Sequence, residues 1–375
     1  MKNSRIVFVL WLAALVVLQA AALQAGAPVG ELLIATAVVG LMMLLYLLFS
    51  ERIMRESLPK ITGNGGEFGL PGLLWFIFLV LTLLAAPPNG VMGLVVAGAI
   101  LWVPTGLIVR QQAALSPVQA VAGLTVLLIP LFGGVLFGGS LTSTDVALRL
   151  GAFALPALLL ALTTRAQKSR LEFYFISAVL FIWYTVEFGA APGLRLPFTG
   201  GLISYMQLAL IVLFLYLVTL AGRLPDLGYT FELNRKDWRE VLINFALLAV
   251  IVLPLGLLTG FVRPSAALPS IAEIAGRGAA IFFFVALPEE LLFRGVIHRY
   301  LERVLRWTPL ATLSLSSIIF GAAHLDNPPN VGYYFILASI AGFFYGRTYL
   351  RTGKIVPAAL VHLLIDWVWS VLFAG

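Results

Sequence analysis

Apolar runs long enough to cross the roughly 30 Å hydrocarbon core of a bilayer, at about 1.5 Å per helical residue, recur from one end of this 375-residue chain to the other. Thirteen such runs can be drawn, at 6–23, 31–50, 71–86, 91–109, 117–139, 145–164, 173–190, 201–222, 241–260, 273–296, 309–324, 331–349 and 355–374. Short polar gaps separate them, so no sizeable aqueous domain fits. Lipid offers backbone N–H and C=O groups no partner, so each run must be helical and the expected fold is an all-α polytopic transmembrane bundle of about 13 spans. The third run is short and ends in Pro87-Pro88-Asn89-Gly90, and the fifth is interrupted at Pro130 and Gly133-Gly134. Composition agrees: 61% of residues are hydrophobic, 11% are charged, and mean hydropathy is +1.02.

The basic residues orient the bundle. With the N-terminus cytoplasmic, and each basic residue inside a span counted with its nearer end, only Arg149, Arg195, Arg263 and Arg277 of the 24 Lys and Arg residues fall on the outer side. That leaves 24 − 4 = 20 on the inner side, as the positive-inside rule requires, and puts the C-terminus outside. The net charge of +7 is therefore spread over helix ends. It marks membrane topology, with no nucleic-acid partner expected. There is no cysteine, which excludes disulfides, thiolate catalysis and cysteine-ligated zinc. The basic tail and first apolar run resemble a signal peptide, but the run is longer than a signal's apolar region and reads as the first span.

Three regions follow. Residues 1–222 form an eight-span membrane region nearly free of ionisable groups at mid-depth, and Glu187 sits at the outer edge of its span. Residues 223–240, with mixed charge and Trp238, read as a cytoplasmic interfacial helix linking two halves. Residues 241–375 hold the chemistry. No internal repeat points to an inverted-repeat transporter.

Ionisable groups in the last spans are costly enough that function is their default explanation: Glu289, Glu290 and Arg294, then His324, then His362 and Asp366. On a helix Arg294 lies one turn from Glu290, about 40° around the axis, whereas Glu289 is turned about 140° away from it. Glu290 is thus expected to pair with Arg294, and Glu289 to face another helix as a general base. Counting rise per residue from the cytoplasmic ends puts Glu289 at about 21 Å, His324 at about 22 Å, and His362 with Asp366 at about 10–16 Å, so all can share one cavity. His298, beside Arg299, reads as a solvated interfacial residue, and Asp326 and Asn327 as turn-formers. Ser314, Ser316 and Ser317 read as helix-packing residues.

The ordered motifs Glu289-Glu290-Leu291-Leu292-Phe293-Arg294, Phe320-Gly321-Ala322-Ala323-His324 and His362-Leu363-Leu364-Ile365-Asp366 resemble the EExxxR, FxxxH and HxxxN/D pattern of the CAAX-protease-and-bacteriocin-processing (CPBP, or Abi) family, which includes the type II CAAX prenyl endopeptidases. The stretch 346–357 is also similar to that family's segment before its last motif. The resemblance covers about 241–375. It implies an intramembrane endopeptidase in which Glu289 and His324 activate a water. His362 and Asp366 would orient groups and stabilise the oxyanion, and Glu290 with Arg294 would hold the frame. Asp366 stands where asparagine is common, and an ionised carboxylate cannot donate a hydrogen bond, so orienting His362 is its alternative role.

The implied substrate is a membrane-anchored peptide or protein, and the implied location is a bacterial inner membrane. No cofactor is expected; the alternative is zinc on Glu289, His324 and His362. HExxH, GxGD and GxSG motifs are absent from the chain. Two other function classes remain. A proton-coupled transporter needs polar sites in both halves, and a non-catalytic scaffold would tolerate loss of Glu289.

Overall fold

The computed structural model describes residues 227–303, 306, 308–325 and 331–374, with scattered positions between 12 and 50 that are helical except at Gly26. The expected spans 71–86 to 201–222, Glu187, Asp326 and Asn327 lie outside the described residues. Residues 224–375 belong, with 1–25, to one compact unit.

The chain enters the described region extended, not as the interfacial helix expected over 223–240. Helix α1, Arg235–Leu258, begins at residue 235 because Asn234 caps it. Asn234 Oδ1 accepts from the Asp237 N–H at 3.0 Å, and Asp237 Oδ2 accepts from the Asn234 N–H at 2.8 Å. Residues 235–240 are thus the first turns of a membrane-length helix. Lys354 Nζ reaches Asp237 at 2.8 Å and the Glu232 carbonyl at 2.7 Å, which ties this end to the turn at Gly353-Lys354. Gly228 and Gly353 make that junction possible. Both have φ near +68°, at 67° and 68°, and a Cβ on Gly228 would sit 1.8 Å from the Gly353 carbonyl oxygen.

After α1 the backbone runs through the two-residue strand β1 (Arg263–Pro264), which pairs antiparallel with β2 (Phe373–Ala374) at the chain's end. This is the one departure from all-helical structure among the described residues. A continuous helical rod then spans 271–303. It comprises α2 (Ile271–Ile281), a π-helical segment Phe282–Ala286, α3 (Leu287–Glu290), a second π-helical segment Leu291–His298, and α4 (Arg299–Arg303). Ser270 and Glu273 form a capping box at its start. Pro288 supplies the physical reason for the first widening. It has no N–H to offer one turn back, and the neighbouring Leu287 N–H bonds to Phe282 O, five residues earlier. The two glutamates therefore stand on a four-residue α-turn between two π-helical segments.

Helix α5 (Pro309–Ala322) is capped by Thr308, α6 is Val331–Thr352, and α7 is Ile355–Leu372. Of the described helices, α1 and α7 are long and apolar enough to cross a membrane, and α5 is a shorter apolar helix. The chain is an integral membrane protein. Helices α5 and α6 approach closely through small residues. A Cβ on Gly321 would lie 1.9 Å from Ser339 Oγ, and one on Gly342 would lie 3.1 Å from the Phe320 ring. Gly346, four residues after Gly342, gives α6 a GxxxG face against Leu313, where a Cβ would lie 2.5 Å away. Ser316 and Ser317 are buried and donate to the Leu313 carbonyl, whereas Ser314, read with them as a packing residue, is exposed.

Candidate active site

Three helical elements bring five of the six expected residues around one imidazole. His362, in the middle of α7 and 3% exposed, points its ring at the α3 turn. Its Nδ1 lies 3.2 Å from Glu290 Oε1. Its Nε2 lies 3.2 Å from Asp366 Oδ2 and 3.9 Å from Glu289 Oε2. The one-turn spacing of His362 and Asp366 on α7 produces the second contact directly.

Glu290 Oε1 also receives Arg294 Nη1 at 3.0 Å, and both side chains of that pair have no solvent exposure. Arg294 Nη2 donates to the Gly342 carbonyl on α6. Its guanidinium stacks over Phe320 at 5.1 Å and Tyr345 at 5.5 Å. A Cβ on Gly346 would come within 3.7 Å of Arg294 Nε, so the glycine face that closes α5 on α6 also makes room for the guanidinium. The i,i+4 pair expected from spacing is present, embedded in a cage that no spacing argument contains.

The two glutamates, adjacent on an α-helical turn, nevertheless reach one ring. Both reach the same ring, Glu290 at Nδ1 and Glu289 near Nε2. They differ in access: the Glu290 side chain is fully buried and that of Glu289 is 18% exposed.

His324 follows the end of α5. Its Nδ1 lies 2.8 Å from the Phe320 carbonyl, which can only accept, so Nδ1 carries the proton and Nε2 is the basic nitrogen of the neutral ring. The ring stacks on Tyr334 at 5.2 Å and 22°. His324, His362 and Asp366 border one cavity of about 90 Å³, with Gly256 and Phe261 on one side and Tyr334, Tyr345 and Trp369 on the other. One water needs only roughly 10–15 Å³ of such space. Glu289 meets this group through His362.

His298 is corrected: it has no solvent exposure, its Nδ1 lies 3.2 Å from Ser316 Oγ, and its ring meets Tyr349 edge-on at 5.7 Å. Residues 291–298 are buried except for half-buried Ile297, so proximity to Arg299 in sequence did not mean proximity to water. Sequence reasoning also missed Tyr345, stacked on His362 at 4.5 Å and 12°. One aromatic among many on an apolar helix carries no signal until the packing partner is known.

Zinc on Glu289, His324 and His362 meets an obstacle in this geometry. Both ring nitrogens of His362 face carboxylate oxygens, so neither offers a lone pair to an open position. Among the described residues, no three His, Asp or Glu side chains are grouped to hold a metal ion.

Residues 272–368 match the family model described as Type II CAAX prenyl endopeptidase Rce1-like, and the resemblance drawn from the three motifs holds. No curated protein and no solved structure matches the chain.

Proposed function

With a segment of the CAAX prenyl endopeptidase kind at residues 272–368 as the premise, we propose that this protein is an intramembrane endopeptidase that hydrolyses a peptide bond of a membrane-associated substrate through a glutamate-activated water. The observation that carries the reading is the cluster itself. Three carboxylates surround the imidazole of His362, and a guanidinium pairs with one of them, beside a cavity that His324 also borders. Such a concentration of ionisable groups among apolar helices is costly to assemble and needs a chemical use.

Each group receives a role suited to its surroundings. Glu289 is the more accessible glutamate and acts as general base, with the basic Nε2 of His324 helping to hold the water. The water oxygen attacks the scissile carbonyl carbon, and its proton passes to Glu289. The tetrahedral intermediate then collapses with cleavage of the C–N bond, and that proton goes to the leaving amine. Glu290 and Arg294 hold the rod at a fixed rotation, and Asp366 orients His362. With both ring nitrogens of His362 facing carboxylates, the water is activated by Glu289 and His324 without a metal. A proton-coupled transporter gains no support from the described residues, where Glu289, Glu290, Arg294 and Asp366 cluster near His362.

The test compares membrane peptidomes of proteoliposomes carrying intact protein, Glu289→Gln, His324→Ala or His362→Ala. A product formed only by intact protein, with all four proteins accumulating equally, is the expected result. Product formation by Glu289→Gln at the intact rate would overturn the general-base assignment, and no product from intact protein would overturn the hydrolase reading.

A further inference from the structure

Hydrolysis of an amide develops negative charge on the carbonyl oxygen, and a donor must meet that charge in the transition state. The motif residues do not supply an evident one. Asp366 is a carboxylate that only accepts while ionised, and its Oδ2 is already against His362 Nε2. His362 points Nδ1 at Glu290 and Nε2 at Asp366 and Glu289, so each ring nitrogen already has a carboxylate partner within 4 Å.

We infer that the Tyr345 hydroxyl is the oxyanion donor, a catalytic residue contributed by α6. The inference rests on the hydrolase reading above. Tyr345 borders the cavity that His324, His362 and Asp366 border. Its ring lies parallel to the His362 ring at 4.5 Å and is 1% exposed. The Arg294 guanidinium covers this ring at 5.5 Å. No hydrogen bond to another described residue engages the hydroxyl. The other tyrosine bordering the cavity, Tyr334, stacks on His324 and not on His362.

The backbone prepares this placement. Gly342 and Gly346 flank Tyr345, letting α6 approach Phe320 and Leu313 closely enough for the ring to slide beside α7. A preorganised donor of this kind costs no reorganisation when the carbonyl rehybridises, because stacking has already fixed the ring.

The decisive variant is Tyr345→Phe, which keeps the ring and its stacking and removes only the hydroxyl. Intact protein, Tyr345→Phe and Glu289→Gln are reconstituted in liposomes with a mass-spectrometric library of apolar peptides, and initial rates are measured against peptide concentration. Loss of one oxyanion donor is expected to lower kcat by about 10²–10³-fold. KM should stay within about twofold and the melting temperature unchanged, because ground-state contacts are retained. Intact-level kcat for Tyr345→Phe, with Glu289→Gln inactive, overturns this inference and leaves the hydrolase reading standing. A change in KM alone assigns the hydroxyl to substrate binding and also overturns it. Absence of product from intact protein refutes both. If Tyr345→Phe lowers the melting temperature, 3-fluorotyrosine at 345 decides: it keeps the fold and makes the phenol a stronger donor, so an unchanged kcat overturns the inference.

Discussion

Removing the charge of Glu290 should cost far more stability than removing that of Glu289, although the two are adjacent. In Glu290→Gln the Arg294 guanidinium stays buried with no anion, and His362 Nδ1 loses its carboxylate, since both contacts converge on the same oxygen, Oε1, at 3.0 and 3.2 Å. Breaking one side of a buried pair typically costs about 3–5 kcal/mol, because an uncompensated charge is left behind. Against a total of about 5–15 kcal/mol, that is roughly a fifth of the stability or more. The melting temperature should fall on the order of 10 °C, given about 2–4 °C per kcal/mol in domains of comparable size. The assay is a temperature ramp in detergent with the folded fraction read by size exclusion. The double variant Glu290→Leu with Arg294→Met replaces the pair by apolar volume and should recover most of the loss, while remaining inactive. A shift under about 2 °C for Glu290→Gln, or a double variant as unstable as the single one, would refute the reasoning that the orphaned charge is the source of the cost.

Three further outcomes follow from separate parts of the molecule. Gly321→Ala puts a Cβ 1.9 Å from Ser339 Oγ and 2.6 Å from the Phe335 carbonyl, so it should cost about 1–3 kcal/mol in a thermal ramp, whereas Gly332→Ala, with open space around it, should be silent. Alkaline phosphatase fused after Gly375 should be active and one inserted within 225–235 inactive; the reverse pattern refutes the orientation read from the basic residues. Prolonged chelation should leave cleavage unchanged and elemental analysis should find no stoichiometric zinc. Activity lost on chelation and restored by zinc would recast Glu289, His324 and His362 as ligands.

The sequence by itself determined that the bilayer is this protein's solvent, because composition and run length leave the backbone no alternative to helix. It also singled out ionisable residues that the fold gathers near His362, because such groups at depth are costly, and it anticipated the Glu290–Arg294 pair, because a four-residue spacing is local geometry. Tertiary structure decided the rest. Helical periodicity sent Glu289 and Glu290 to different faces, yet His362 on α7 packs between them, so that both carboxylates meet one imidazole. His298 looked interfacial from its neighbour Arg299 and is buried against Ser316, because burial depends on which helices pack there and not on adjacent charge. Tyr345 was invisible among the aromatics of α6 until the Gly342–Gly346 face let that helix close on α5 and α7. Spacing along a chain encodes contacts within a helix; contacts between helices depend on side-chain volume and close approach, which a single sequence does not spell out.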